Sequence, residues 1–191
     1  LKITLITGGA RSGKSRLALE MALKTKGSVL FVATAAPGDD EMKRRIEAHR
    51  KARPKDWSTL EVATGVGREV THHIGRARTV VIDCITLLIN NVFQRHEGAD
   101  AAALEKAVVA EMNGLIRCLE RCGARFIIVT NEVGLGIVPA DAVSRLYRDL
   151  LGRANQMLAG RADEVILMVA GLPVCLKKVK PGGGRRRFHP Q

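Results

Sequence analysis

Gly8, Gly9, Ala10, Arg11, Ser12, Gly13, Lys14 and Ser15 follow the apolar run Ile3-Thr4-Leu5-Ile6 and open a segment of helical periodicity. This is the strand–loop–helix setting in which G-x-x-x-x-G-K-S cradles phosphate. Glycines there let backbone N–H groups close around phosphate oxygens, and the following helix N-terminus adds its partial positive charge. Lys14 is placed to reach β- and γ-phosphates and Ser15 to hold Mg²⁺. The alternative is a Gly-rich turn with a fortuitous Lys-Ser pair, which the agreement of strand, loop and helix disfavours. A second acidic partner for Mg²⁺ is Asp83, which ends the apolar run Thr79-Val80-Val81-Ile82. An open parallel sheet gathers its ligand contacts at this carboxyl edge. The same residue also suits a helix N-cap or a solvated strand end.

The segment from Arg45 to Pro54 carries the other reactive pattern. Arg45, His49 and Arg53 are four residues apart, so a continuous helix places them on one face. Flanking guanidinium groups disfavour protonation of the imidazole, leaving a neutral nitrogen able to attack phosphorus while the arginines hold phosphate. A basic, solvated surface helix with an incidental histidine fits the spacing at least as well.

Composition bounds the setting of these groups. With 191 residues, 46% hydrophobic and 26% charged, the chain has the size and make-up of one α/β domain. Aromatic residues are only 3%, so the core is expected to be aliphatic and a multi-ring stacking surface is excluded. The net charge of +12 invites a nucleic-acid reading. However, Lys177, Lys178, Lys180, Arg185, Arg186 and Arg187 crowd the end of the chain beside Gly182-Gly183-Gly184. Residues 1–180 are therefore expected to form the nucleotide-binding catalytic domain and 181–191 a flexible basic tail, with no specific nucleic-acid partner. Cys84, Cys118, Cys122 and Cys175 show neither a paired C-x-x-C pattern nor the density of a disulfide scaffold, as in reduced cytoplasmic proteins. The early phosphate loop leaves no room for a secretory signal, and no apolar run reaches membrane-spanning length. A cytoplasmic protein without a membrane span is the expectation.

The elements that position these groups alternate along the chain. Leu17, Ala18, Met21 and Ala22 recur at helical spacing up to Lys26-Gly27, and Val29 to Ala33 reads as a buried strand. Asp39-Asp40 caps a charged helix over 41–51, stopped before Pro54, with Pro37-Gly38 ahead of it as a turn or a hinge. A short strand at 60–63, a helix at 67–74 and the strand 79–83 follow. Further on come a helix at 101–121, a strand at 124–130, a loop at 131–139, a helix at 140–159, and strands at 164–169 and 174–178. This alternation predicts an α/β protein with a P-loop NTPase-like fold in a single domain, its sheet open, mostly parallel and flanked by helices.

The order of motifs resembles one family closely. Thr7 to Ser15, Ala33-Thr34, Asp40-Glu41-Met42 with Arg45-Ile46, His49-Arg50 to Arg53-Pro54, and Trp57 are similar to the bifunctional adenosylcobinamide kinase / adenosylcobinamide-phosphate guanylyltransferases of cobalamin biosynthesis. So are Asp83-Cys84-Ile85-Thr86, Val129 to Pro139, Gly152 to Gln156 and Ala162 to Val165. The resemblance spans roughly residues 2–176. It implies phosphorylation of adenosylcobinamide by ATP or GTP, with Lys14 at the transferring phosphate. Transfer of GMP from GTP through a guanylylated histidine would follow, giving adenosylcobinamide-GDP and pyrophosphate. The histidine position matches His49; the neighbouring histidine of some members is Ala48 here. The resemblance further implies nucleotide contacts at the phosphate loop, at Ala33, Thr34 and Ala35, at Arg50, Lys51, Ala52 and Arg53, and at Glu61 and Asp83. It also implies a homotrimer with the corrinoid near a subunit boundary. Asn131, Arg153 and Asn155 suit either polar contacts at the sheet edge or bracing of the fold. Two other readings compete: a P-loop kinase of another small metabolite, leaving His49 idle, and a nucleotide-regulated nucleic-acid-binding module.

Overall fold

A computed structural model describes residues 2–35, 44, 47, 50 and 53–179. Seven strands form one sheet: β1 (Ile3–Gly8), β2 (Val29–Ala33), β3 (Ser58–Glu61), β4 (Thr79–Asp83), β5 (Arg125–Val129), β6 (Glu164–Val169) and β7 (Leu172–Lys178). Their spatial order is β3-β2-β4-β5-β1-β6-β7, and every pairing is parallel except β6 with β7. The helices described along their whole length are α1 (Lys14–Leu23), α2 (Val66–His73), α3 (Ile85–Arg95), α4 (Ala101–Arg121) and α5 (Ala142–Arg161). The mostly parallel α/β sheet is therefore as expected.

Alternation along the strands divides the core between two faces. Ile3 and Leu5, Leu30 and Val32, Val80 and Ile82, and Phe126 and Ile128 point toward α2 to α5. Ile6, Phe31, Val81, Ile127 and Val129 pack instead with Ala18 and Ala22 of α1. Burial on both faces explains why the central strands read as continuous apolar runs. It also sets Glu61, Asp83 and the start of the phosphate loop at one end of the sheet, because parallel strands leave the core in the same direction. Ala33 is level with both Glu61 and Asp83, while Val129 is level with both Asp83 and Ile6.

Helix α3 is absent from the sequence-based assignment, although Ile85, Leu88, Ile89 and Val92 carry the helical repeat and are all buried. The β-branched residues among them obscure that period. Two boundaries also shift: β3 begins and ends two residues earlier than expected, and β7 begins at Leu172. Arg44, Glu47 and Arg50 are helical, but Arg53 lies in a bend, its N–H bonded to the Arg50 carbonyl at 3.3 Å. The expected helical face therefore does not reach Arg53, since the ring of Pro54 disfavours helical backbone in the preceding residue. Arg45, His49, Lys51, Ala52, the turn at Pro37-Gly38 and the basic tail at 181–191 lie outside the described residues. Among the described residues no helix is long and apolar enough to cross a membrane.

Candidate nucleotide-binding site

The phosphate loop has a closed back and an open front. Gly8 leaves β1 with φ +145°, and a Cβ there would lie 2.4 Å from the Met168 carbonyl oxygen of β6. Only glycine fits that approach. A Cβ on Gly9 would instead meet nothing within 4 Å, so this side is open to a ligand. Gly13 (φ +94°) then turns the chain into α1, and Arg11 is also left-handed at φ +55°. The β6–β7 turn braces the loop from behind: Gly171 N–H donates to the Ser12 carbonyl at 3.2 Å.

Lys14 is buried within this loop, and its ammonium donates to the Gly9 carbonyl at 2.5 Å and to Ser12 Oγ at 3.4 Å. Burial lowers its pKa, an effect opposed by the nearby Cys84 and Asp83. Asp83 and the loop lie at the same edge of the sheet, on strands separated only by β5. Ser15 and Asp83 are both half-buried.

A small polar network fixes the chain after Asp83. Cys84 N–H donates to Thr34 Oγ1 at 2.8 Å, Thr34 Oγ1 donates to the Cys84 carbonyl at 2.7 Å, and Thr34 N–H donates to the Asp83 carbonyl at 3.2 Å. Asn91 Nδ2 reaches back from α3 to the carbonyls of Thr34 and Ala63. Ala33 and Thr34 are thus buried, and the Thr34 hydroxyl is committed to holding the β4 end; Ala35 is half-buried. Burial pushes the Cys84 thiol up to about 11, so it is neutral and chemically quiet near pH 7.

Arg53 has the least satisfied side chain of the group. Its guanidinium stacks 3.8 Å above the Phe31 ring, while Nε and Nη1 are buried with no hydrogen-bond partner among the described residues. Burial disfavours its charge, Arg50 acts in the same direction, and Asp83 and Glu61 oppose it. Arg50 itself pairs with Glu61 on the surface. Buried guanidinium donors are costly when left unpaired. The structure therefore brings together the loop, Asp83, Arg53, Arg50 and Glu61.

Sequence reasoning missed the Phe31 platform, which is disguised as one more apolar residue in β2. It also missed that Glu132 N–H is bonded to the Gly8 carbonyl at 3.1 Å. A separate cavity of about 380 Å³ opens between α2, α3 and α4, lined in part by Arg68, Arg95, His96 and Glu111. It shares no lining residue with the loop.

Residues 4–176 match the family described as cobinamide kinase / cobinamide phosphate guanyltransferase. The chain belongs to that family. The bifunctional adenosylcobalamin biosynthesis protein CobU of Escherichia coli (strain K12) is 42% identical over 179 residues, covering 91% of this chain and 98% of the relative. CobU of Salmonella typhimurium is 41% identical with the same coverage. The bifunctional adenosylcobalamin biosynthesis protein CobP of Pseudomonas aeruginosa is 40% identical over 178 residues, covering 91% of this chain and 96% of its own. In fold, the chain is similar to a prototypical ATPase from the type III secretion system of pathogenic bacteria (TM-score 0.53, 12% identity), matching 88% of this chain and 51% of that one. Kinase and guanyltransferase chemistry on a P-loop scaffold is thus the setting of the family.

Proposed function

We propose that this protein phosphorylates adenosylcobinamide with ATP or GTP and then transfers GMP from GTP to the product through His49, giving adenosylcobinamide-GDP and pyrophosphate. In the first reaction the acceptor hydroxyl attacks the γ-phosphorus, and Lys14 with the loop N–H groups stabilises charge on the departing nucleoside diphosphate. In the second, a neutral His49 nitrogen attacks the α-phosphorus of GTP and pyrophosphate leaves. The phosphate of the corrinoid then takes the GMP from the resulting phosphoramidate. Arg53, with Arg50 and Lys51 on the same segment, holds phosphates during the exchange, and Ala35 and Glu61 border the nucleotide. Ser15 and Asp83 offer the hard oxygen donors that Mg²⁺ prefers, and the ion when bound offsets triphosphate charge.

The observation that carries this reading is Arg53 stacked on Phe31 with Nε and Nη1 buried and without a partner among the described residues, within a family match spanning residues 4–176. We extend the proposal to residues 1–180 as one catalytic unit and to assembly as a homotrimer. The exposed apolar residues Leu135, Ile137, Val138 and Val143 support self-association.

Incubation with GTP labelled at the α-phosphate tests the covalent step. Acid-labile label is expected on the wild-type protein and not on His49→Ala. Tight GTP binding with Mg²⁺ but no protein-bound label would point to a simple kinase instead.

A further inference from the structure

We propose that Glu132 takes the proton from the acceptor hydroxyl during phosphoryl transfer, a role that rests on the kinase half of the function proposed above. The sheet order leads to this residue. Strand β5 lies between β1, which feeds the phosphate loop, and β4, which ends in Asp83. The chain leaving β5 therefore emerges between the two groups that bind the triphosphate.

Hydrogen bonds keep it there. Pairing with β1 continues past the strand end, with Thr130 N–H donating to Ile6 O at 2.9 Å and Glu132 N–H donating to Gly8 O at 3.1 Å. On the other side, Asn131 N–H donates to Thr86 Oγ1 at 2.8 Å, three residues beyond Asp83. From behind, Thr130 Oγ1 donates to Asn155 Oδ1 at 2.7 Å, and Asn155 Nδ2 donates to the Asn131 carbonyl at 2.9 Å. Glu132 is thus tied at its backbone to the first residue of the loop, on a segment fixed from three directions.

Glu132 is half-buried as a residue, and one oxygen of its carboxylate accepts the Gly134 N–H at 2.6 Å in an exposed hydrogen bond. Glu132 forms no ion pair with a described residue, unlike Glu61, which is paired with Arg50. Asp83 favours the charged forms of Lys14 and Arg53 electrostatically. Among the described carboxylates at this edge, Glu132 is therefore the one whose charge is not already engaged by a described cation. A hydroxyl nucleophile must lose its proton as it bonds to phosphorus, and a positioned carboxylate performs that task in other kinases. Here the new bond joins the acceptor oxygen to the γ-phosphorus. The bond from that phosphorus to the β–γ bridging oxygen breaks, its electron pair leaves with the nucleoside diphosphate, and the hydroxyl proton passes to Glu132 and then to solvent. The second reaction has no hydroxyl to deprotonate, because its acceptor is already a phosphate.

Glu132→Gln tests this, since the amide oxygen still accepts the Gly134 N–H. Phosphorylation of adenosylcobinamide is expected to lose ~100-fold or more in kcat, with the KM values for nucleotide and corrinoid little changed. GMP transfer to preformed adenosylcobinamide phosphate should persist, and Glu132→Asp should recover part of the kinase rate. Undiminished phosphorylation in Glu132→Gln overturns the assignment, and so does an equal fall in both reactions, which marks a structural role. A wild-type protein that transfers GMP but never phosphorylates the hydroxyl removes the kinase reading itself, a result visible before any variant is made.

Discussion

Arg53 is unusual in having its free-state conformation and its energetic need point in opposite directions. Stacking on Phe31 fixes the guanidinium plane, yet Nε and Nη1 lack partners among the described residues. A buried donor left unsatisfied costs free energy, which a phosphate bound as proposed would return. Arg53→Met should therefore weaken nucleotide binding by roughly 10- to 100-fold, the size of a charged hydrogen bond, while leaving thermal stability unchanged or slightly raised. Arg53→Lys should recover little of the affinity, because a lysine lacks the planar fork. Calorimetric titration with GTP alongside thermal melts separates the two effects; a matching loss of stability and affinity would instead show that Arg53 braces the fold.

At the scale of elements, two helices covering one face of the sheet cross in unusually close contact. A Cβ on Gly67 would lie 2.3 Å from the Gly114 carbonyl oxygen, so α2 and α4 meet backbone to backbone. Glu111 of α4 accepts the N–H groups of Gly65 and Val66, fixing the start of α2 at that crossing. Gly67→Ala must push α2 outward, since a main-chain atom cannot rotate away as a side chain can. Destabilisation of ~1–3 kcal/mol is expected from such overpacking, read as a lower denaturation midpoint in urea. Gly114→Ala is the informative companion, because its own Cβ would meet only the Arg117 side chain, at 3.8 Å, and should be tolerated.

For the whole molecule, the distribution of exposed apolar side chains is uneven. Ile137 is 96% exposed and Leu135 85%, on the connection between β5 and α5. An apolar loop carried beside a nucleotide site has little reason to face water alone. The proposed trimer predicts that Leu135→Asp combined with Ile137→Asp shifts the protein to monomer in sedimentation velocity while circular dichroism is unchanged. If the double variant sediments as the wild type does, this loop is not the subunit contact.

Local chemistry in the sequence determined a good deal. The glycine spacing before Lys14-Ser15 specifies a phosphate-binding turn, and apolar runs such as Val80-Val81-Ile82 specify strands buried on both faces, because backbone geometry and burial are properties of short segments. The periodic signal of α3 was present too, although its β-branched residues masked it. Only the tertiary structure decided which strands are neighbours. That order brings Asp83 to the same edge as the phosphate loop, sets Phe31 under Arg53 and brings Glu132 out between the loop and Asp83. Such contacts join residues far apart in the chain, and no local pattern encodes them: they follow from how parallel strands pack to cover their apolar faces and deliver their ends to one edge.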